Sequence, residues 1–301
     1  MQRILTNVHN TGDEQDTYQY IHCDVFSSSP FAGNSLAVFP DRCDLSSSQM
    51  LAITQELRHF ETIFLRQEGS RTSARIFDLF EELPFAGHPI IGAACTLHRL
   101  SGDRDKRLWV FELINGRTVE VRTHCKDGVY QGCLDQGRPH FFAAVPDEQR
   151  QIFAKAFNLT PIQLANLPMD VISTGLRYLV VPVRSGLEKA RIVRPDLEDL
   201  LTGVGAEFAY LFDVERFEGR HWNNDGILED VATGSAAGVV GAYALKHGLA
   251  QSDQPFILKQ GHFMARPSQI EVTPFGNPNM INRVEVAGAV ATVGFGEMVA
   301  P

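Results

Sequence analysis

The chain has 301 residues, 44% of them hydrophobic and 21% charged. That is longer than one core usually serves, so two domains of ordinary globular composition are expected. Its formal net charge of -9, with no clustered Lys/Arg patch, argues against nucleic acid or an anionic membrane as the main partner; backbone amides could still hold a small anion.

Residues 1–17 are polar, contain no apolar signal core, and read as a flexible extension outside the fold. Tyr20 to Phe26 alternates as a strand, Ser27 to Asn34 carries turn chemistry, and Leu36 to Phe39 is a second strand. Ser46 to Leu57 has helical spacing behind a serine-rich start, and Glu61 heads the strand Thr62 to Leu65. Arg75 to Phe80 alternates again and leads into a glycine turn with a small-residue helix, Ile91 to Leu97. Short strands follow at Leu108 to Phe111, Arg117 to Arg122 and Val129 to Leu134, with Asn115-Gly116 and Asp127-Gly128 as hairpin turns. From about Pro139 the pattern restarts. It has a helix over Asp147 to Phe157, a strand over Tyr178 to Val183, a polar helix after Asp196, and strands at Phe208 to Phe212 and near Arg220 to Trp222. A second glycine turn then opens a helix that runs to Leu245. Four strand-like segments end the chain: Phe256 to Leu258, Gln269 to Val272, Arg283 to Val286 and Ala289 to Val293. The mixture of meandering strands and one buried helix per half predicts an α+β architecture.

The two glycine segments, Glu82-Leu-Pro-Phe-Ala-Gly-His-Pro89 and Glu229-Asp-Val-Ala-Thr-Gly-Ser-Ala236, align without a gap. Each has an acid five residues before the glycine and a polar residue, His88 or Ser235, directly after it. Two strand-to-helix turns brought together would form a water-poor cleft lined with N–H donors. Thr233-Gly-Ser-Ala lacks the lysine of a phosphate loop, no GxGxxG opens a βαβ unit, and no HExxH occurs; five cysteines without CxxC spacing suggest neither a disulfide framework nor a zinc site. No nucleotide, metal or other cofactor is therefore expected. Proton transfer is the remaining chemistry. Glu61, between Phe60 and Ile63-Phe64, fits a poorly hydrated carboxylate of raised pKa, and equally a surface acid capping a strand. Asp230 suits a helix cap as well as a site acid, and His88 a structural as well as a catalytic histidine.

Asp24-Val-Phe, Pro30-Phe-Ala-Gly-Asn34, Glu61-Thr, Ser173-Thr-Gly-Leu, Gln260-Gly-His-x-Met-x-Arg-Pro-Ser268 and the two glycine segments occur in collinear order. Together they closely resemble the PhzF-like phenazine-biosynthesis isomerases, relatives of diaminopimelate epimerase. The resemblance runs from about Tyr18 to the C-terminus. It implies two pseudo-symmetric epimerase-like domains, each a mixed sheet wrapped around a central helix: 18–130 plus 287–301, and 131–286. It also implies an active site in the cleft between them and a homodimer; the lack of an apolar signal core, and of any stretch of ~20 apolar residues, leads separately to the expectation of a soluble cytoplasmic protein. By resemblance Glu61 is the general acid/base, His88 and Asp230 orient the substrate and assist the transfer, and Gly87, Gly234 and Ser235 bind a substrate carboxylate. The implied activity is cofactor-independent movement of a proton between carbons of a small carboxylate-bearing metabolite, a cyclic or dihydroaromatic amino acid. Departures at Val231, Asp78-Leu79 and Phe60 bear on which substrate that is. The rivals are an amino-acid epimerase and a non-catalytic anion-binding protein. The epimerase relatives carry a cysteine in each glycine turn, where this chain has His88 and Ser235.

Overall fold

The computed structural model describes residues 17–41, 45–68, 71–299 and 301. The extension expected over 1–17 therefore lies, except for Thr17, outside the described residues, as does Cys43. In chain order the first half contains β1 (Thr17–Val25), β2 (Asn34–Phe39), α1 (Ser47–Leu57), β3 (Glu61–Glu68), β4 (Arg71–Phe77), β5 (Glu82–Leu83), α2 (Gly87–Ser101), β6 (Arg107–Leu113), β7 (Thr118–Lys126) and β8 (Val129–Asp135). Then come β9 (His140–Phe141), α3 (Asp147–Ala156), β10 (Val171–Ser173), β11 (Arg177–Val183), α4 (Leu197–Gly203), β12 (Phe208–Asp213), β13 (Glu218–Trp222), β14 (Glu229–Asp230), α5 (Gly234–Lys246), β15 (Phe256–Gln260), β16 (Ser268–Asn277) and β17 (Met280–Val299). The fold is α+β, with these strands joined in one mixed hydrogen-bonded network. No helix among the described residues is long and apolar enough to cross a membrane.

The order of pairings recurs. β1–β2 is antiparallel, β2–β3 parallel, β3–β4 and β4–β5 antiparallel, β4–β6 parallel and β6–β7 antiparallel. β10–β11, β11–β12, β12–β13, β13–β14, β13–β15 and β15–β16 follow the same sequence of senses. β17 joins the two sets, pairing with β16 and β8 along its first half and with β1 along its second. The lobe boundaries expected at 130/131 and 286/287 fall inside β8 and β17, which pair with each other there (Val286 opposite Leu134).

Each set of ladders wraps one helix. α2 is buried on all sides from Gly87 to His98, and α5 is buried throughout apart from Ser235 and Lys246, the pattern of helices inside a core. Their small residues let the sheet approach closely. A Cβ on Gly92 would stand 2.4 Å from Leu36 Cδ2, and one on Gly241 would stand 2.6 Å from Val272 Cγ1. Both helices share one apolar cluster with the inward faces of the strands, including Val25, Val38, Ile63, Val121, Val180, Phe212 and Val286. α1, by contrast, is an outer helix closed by a capping box, in which Gln49 N donates to Ser46 Oγ at 3.3 Å and Ser46 N donates to Gln49 Oε1 at 3.0 Å.

Two differences from expectation have a local cause. Arg283 to Val286 and Ala289 to Val293 belong to one strand, because the intervening Ala287-Gly288 does not turn; Gly288 is small because the buried Phe26 packs on it, with Cδ1 only 2.4 Å from where a Cβ would be. The strand expected to reach Phe80 stops at Phe77, since the Asp78 carboxylate accepts from the N–H groups of Phe80 and Glu81, both at 2.7 Å, and folds the chain into a turn.

Candidate active site

The acids that precede the glycines set the two turns. Arg75 forks Glu82, with Nε to Oε1 at 2.7 Å, and Arg220 forks Glu229, with Nε to Oε1 at 2.7 Å. The registers correspond: Arg75 lies opposite Phe64 and Arg220 opposite Leu211. Counting back three residues, Glu61 occupies in one ladder set the place Phe208 has in the other. The next ladders match Asp230 with Leu83 in the same way. Each half therefore supplies one acid where the other half supplies an apolar side chain.

The turns deliver α2 and α5 end to end. A Cβ on Gly87 would lie 4.0 Å from the Gly234 carbonyl carbon, and one on Gly234 would lie 3.6 Å from His88 N, so the two helix starts stand within van der Waals reach of each other. Neither N-cap residue, Ala86 or Thr233, caps its helix with a side chain. The Thr233 hydroxyl instead donates to Asp230 Oδ2 at 2.6 Å and accepts from Gln260 Nε2 at 3.0 Å. Two positive helix ends with first-turn N–H groups left for another acceptor thus converge on one point, where a carboxylate would be stabilised.

Glu61 and His88 lie beside that point, 7% and 5% exposed, with Glu61 Oε2 and His88 Nε2 3.0 Å apart. The contact is close but not aligned as a hydrogen bond, and neither atom has another protein partner. Leaving such atoms unsatisfied costs on the order of 1–3 kcal/mol each, which a bound polar group would recover. Burial, reinforced by the charges of Asp230 and Asp78, lifts the Glu61 carboxyl well above the usual carboxylate range. Burial lowers His88 to about 4, against the pull of Asp230. At neutral pH the imidazole is uncharged.

Asp230, 6% exposed, is tied to its own turn and to the other half of the chain. Its carboxylate accepts from Asn34 Nδ2 at 2.8 Å, Thr233 Oγ1 at 2.6 Å and Ala232 N at 3.3 Å. Gln260 completes the frame by donating to the Asp230 carbonyl at 2.8 Å. These bonds anchor Asp230 to its turn beside Glu61. Gln136 Nε2 donates to the Gly234 carbonyl at 2.8 Å, and Arg266 reaches from the second half to Asp24 Oδ1 at 2.6 Å.

All six residues singled out from the sequence therefore meet. A concavity of about 350 Å³ lined by Ser27, Gln131, Gln269 and Ala289 lies elsewhere, and Glu61, His88 and Asp230 do not line it. Glu61, His88 and Asp230 are nearly withdrawn from solvent, whereas Ser235 in the first turn of α5 is half-buried. Sequence reasoning did not single out Asn34, Gln136 or Tyr178 as site residues. Tyr178 carried a signal, being the one polar tip at the head of a buried aliphatic strand.

The histidines predict acid lability. His88 and His59 are both held at about 4 by burial, against 6.5 for an exposed ring. The unfolded chain binds these protons first, so stability present above pH 6.5 is lost as pH falls toward 4, by up to roughly 3 kcal/mol for His88 alone. Urea unfolding at pH 7 and at pH 4.5 should show this drop. A flat profile in which His88→Gln makes no difference would contradict it.

Comparison with known proteins shows the family. Residues 23–296 match the family model described as phenazine biosynthesis-like protein (PhzC-PhzF). The trans-2,3-dihydro-3-hydroxyanthranilate isomerase of Pseudomonas fluorescens is 30% identical over 94% of this chain and 99% of its own. A crystal structure described as a predicted epimerase from Pseudomonas aeruginosa superposes with a TM-score of 0.87 at 43% identity, covering 94% of this chain and 100% of that one. A probable proline racemase from Agrobacterium radiobacter, 14% identical, shares the fold with a TM-score of 0.59 over 94% of this chain and 93% of its own. The chain belongs to the phenazine biosynthesis-like family of isomerases.

Proposed function

We propose that this protein is a cofactor-independent isomerase that moves a proton between carbons of a small carboxylate-bearing metabolite, a cyclic or dihydroaromatic amino acid, with Glu61 as the acid/base. The observation that carries this reading is the buried, partnerless Glu61–His88 contact of 3.0 Å beside two uncapped helix ends. The substrate carboxylate lies against the N–H groups of Gly87, Gly234 and the residues after them, with the Ser235 hydroxyl adding a donor. A carbon-bound proton passes to the Glu61 carboxylate, the electron pair it leaves shifts through the substrate's double bonds, and the same carboxyl returns a proton to a different carbon. Formula and charge are conserved. A carboxylate of raised pKa is the stronger base, and neutral His88 and the anchored Asp230 hold the reacting groups in place. The ladder order that recurs on either side of β17 supports a division into two pseudo-symmetric lobes, 18–130 plus 287–301 and 131–286, with the site between them.

The test is turnover of trans-2,3-dihydro-3-hydroxyanthranilate, the compound named for the P. fluorescens relative, in D2O. A shifted double bond with deuterium at the newly protonated carbon is the expected product. Failure on that compound, combined with α-deuterated, configurationally inverted proline or another cyclic amino acid, would replace isomerisation by epimerisation.

A further inference from the structure

The matched registers pair Leu36 with Glu61 in one half and Tyr178 with Phe208 in the other. In each half the first-turn polar residue of the buried helix meets one polar side chain from this parallel strand pair. His88 meets Glu61 from β3, and Ser235 meets Tyr178 from β11, whose phenolic oxygen is 2.8 Å from Ser235 Oγ. Tyr178 is 2% exposed, and its ring is fixed by Phe208 and His221, each with its centroid 5.5 Å away.

We propose that Tyr178 is a positioning residue that aims the Ser235 hydroxyl at the substrate carboxylate, making Tyr178–Ser235 the binding counterpart of the proton-handling pair Glu61–His88. Direction is the point. A phenol is a better donor and a poorer acceptor than an aliphatic hydroxyl, so Tyr178 gives its proton to Ser235 Oγ and leaves the Ser235 proton free. Burial, with the charges of Asp230 and Glu61 nearby, holds the phenol well above its ordinary range, so it stays a donor at every working pH. The positive end of α5 favours the orientation in which the freed proton points toward a bound anion. Without the phenol, the Ser235 proton is free to turn toward other acceptors and is no longer preset.

This inference rests on the carboxylate site of the proposed function, and its test separates the two. Calorimetric Kd values for benzoate and benzamide are compared in wild type, Tyr178→Phe, Ser235→Ala and the double variant. Tyr178→Phe keeps the ring and its packing. Each single change should weaken benzoate about fivefold and leave benzamide unaltered, and the double variant should be no weaker than Ser235→Ala, because both act through one hydroxyl. In turnover, Tyr178→Phe should raise KM about fivefold with kcat within twofold. Unaltered benzoate affinity in Tyr178→Phe, losses that multiply in the double variant, or a wild type that does not prefer benzoate to benzamide would each overturn the proposal. A wild type that shows the benzoate pattern and turns over no dihydroanthranilate would leave the proposal standing and remove the proposed reaction.

Discussion

Glu61→Gln is expected to lower kcat by about 10²- to 10⁴-fold, the usual contribution of a positioned acid/base, and to leave ligand binding within a few-fold of wild type. The reason lies in the resting state of the site. With its pKa raised by burial first and by Asp230 and Asp78 after it, Glu61 is easily accommodated in its neutral form, and glutamine copies that form in shape and charge. The variant should therefore fold normally. Its stability should also change with pH in a defined direction. A carboxyl whose folded pKa exceeds its unfolded value contributes stability at low pH and loses it as pH rises from about 4.5 through the folded value, so Glu61→Gln should gain on wild type as pH increases. Below pH 6.5 the loss of stability brought by His88 should be steeper in the variant than in wild type, since Glu61 no longer offsets part of it. Glu61→Asp tests geometry separately, because withdrawing the carboxyl by one methylene should cost on the order of 10²-fold while the charge is kept. More than a tenth of wild-type turnover in Glu61→Gln, or a variant that unfolds, would remove Glu61 from the role proposed.

The sequence revealed these residues unequally. The glycine turns were readable because the same mark, Gly87 and Gly234 each followed by a polar residue, recurs at a fixed distance from Glu82 and Glu229. Glu61 stood out through its apolar neighbours, but only the fold shows that β3 turns it inward toward His88. The frame of the site was less legible, because its bonds join residues far apart in sequence. Asn34 reaches Asp230 across 196 positions, and Gln136 reaches Gly234 across 98. The long β17 was concealed by Gly288, whose small size answers to Phe26 rather than to a turn. The shared acids were apparent without their purpose, since Arg75 and Arg220 sit on preceding strands with no local signature.

Arg220→Ala should be among the most destabilising single changes in the protein. The Arg220 side chain is 10% exposed and Glu229 is 14% exposed, so their fork is largely withdrawn from water. The same guanidinium donates from Nη1 to the carbonyls of Leu187 at 2.8 Å and Ala190 at 2.9 Å, and lies 4.5 Å from the Trp222 ring centre and 4.8 Å from that of Phe263. Alanine strands a buried carboxylate and two carbonyls at once, a loss of about 3–5 kcal/mol out of a typical total of roughly 5–15. A fall in Tm of about 5–8 °C follows for a chain of this size. Most of that loss comes from the orphaned charge, so adding Glu229→Gln to the variant should recover stability, whereas Arg220→Lys, which cannot fork, should fall between alanine and wild type. Because β13 carries Arg220 and pairs through His221 with Asp230, any of these variants that remains folded should also lose turnover as the second glycine turn loosens. A Tm within 2 °C of wild type for Arg220→Ala, or no recovery with Glu229→Gln, would show that the fork does not hold the turn in place.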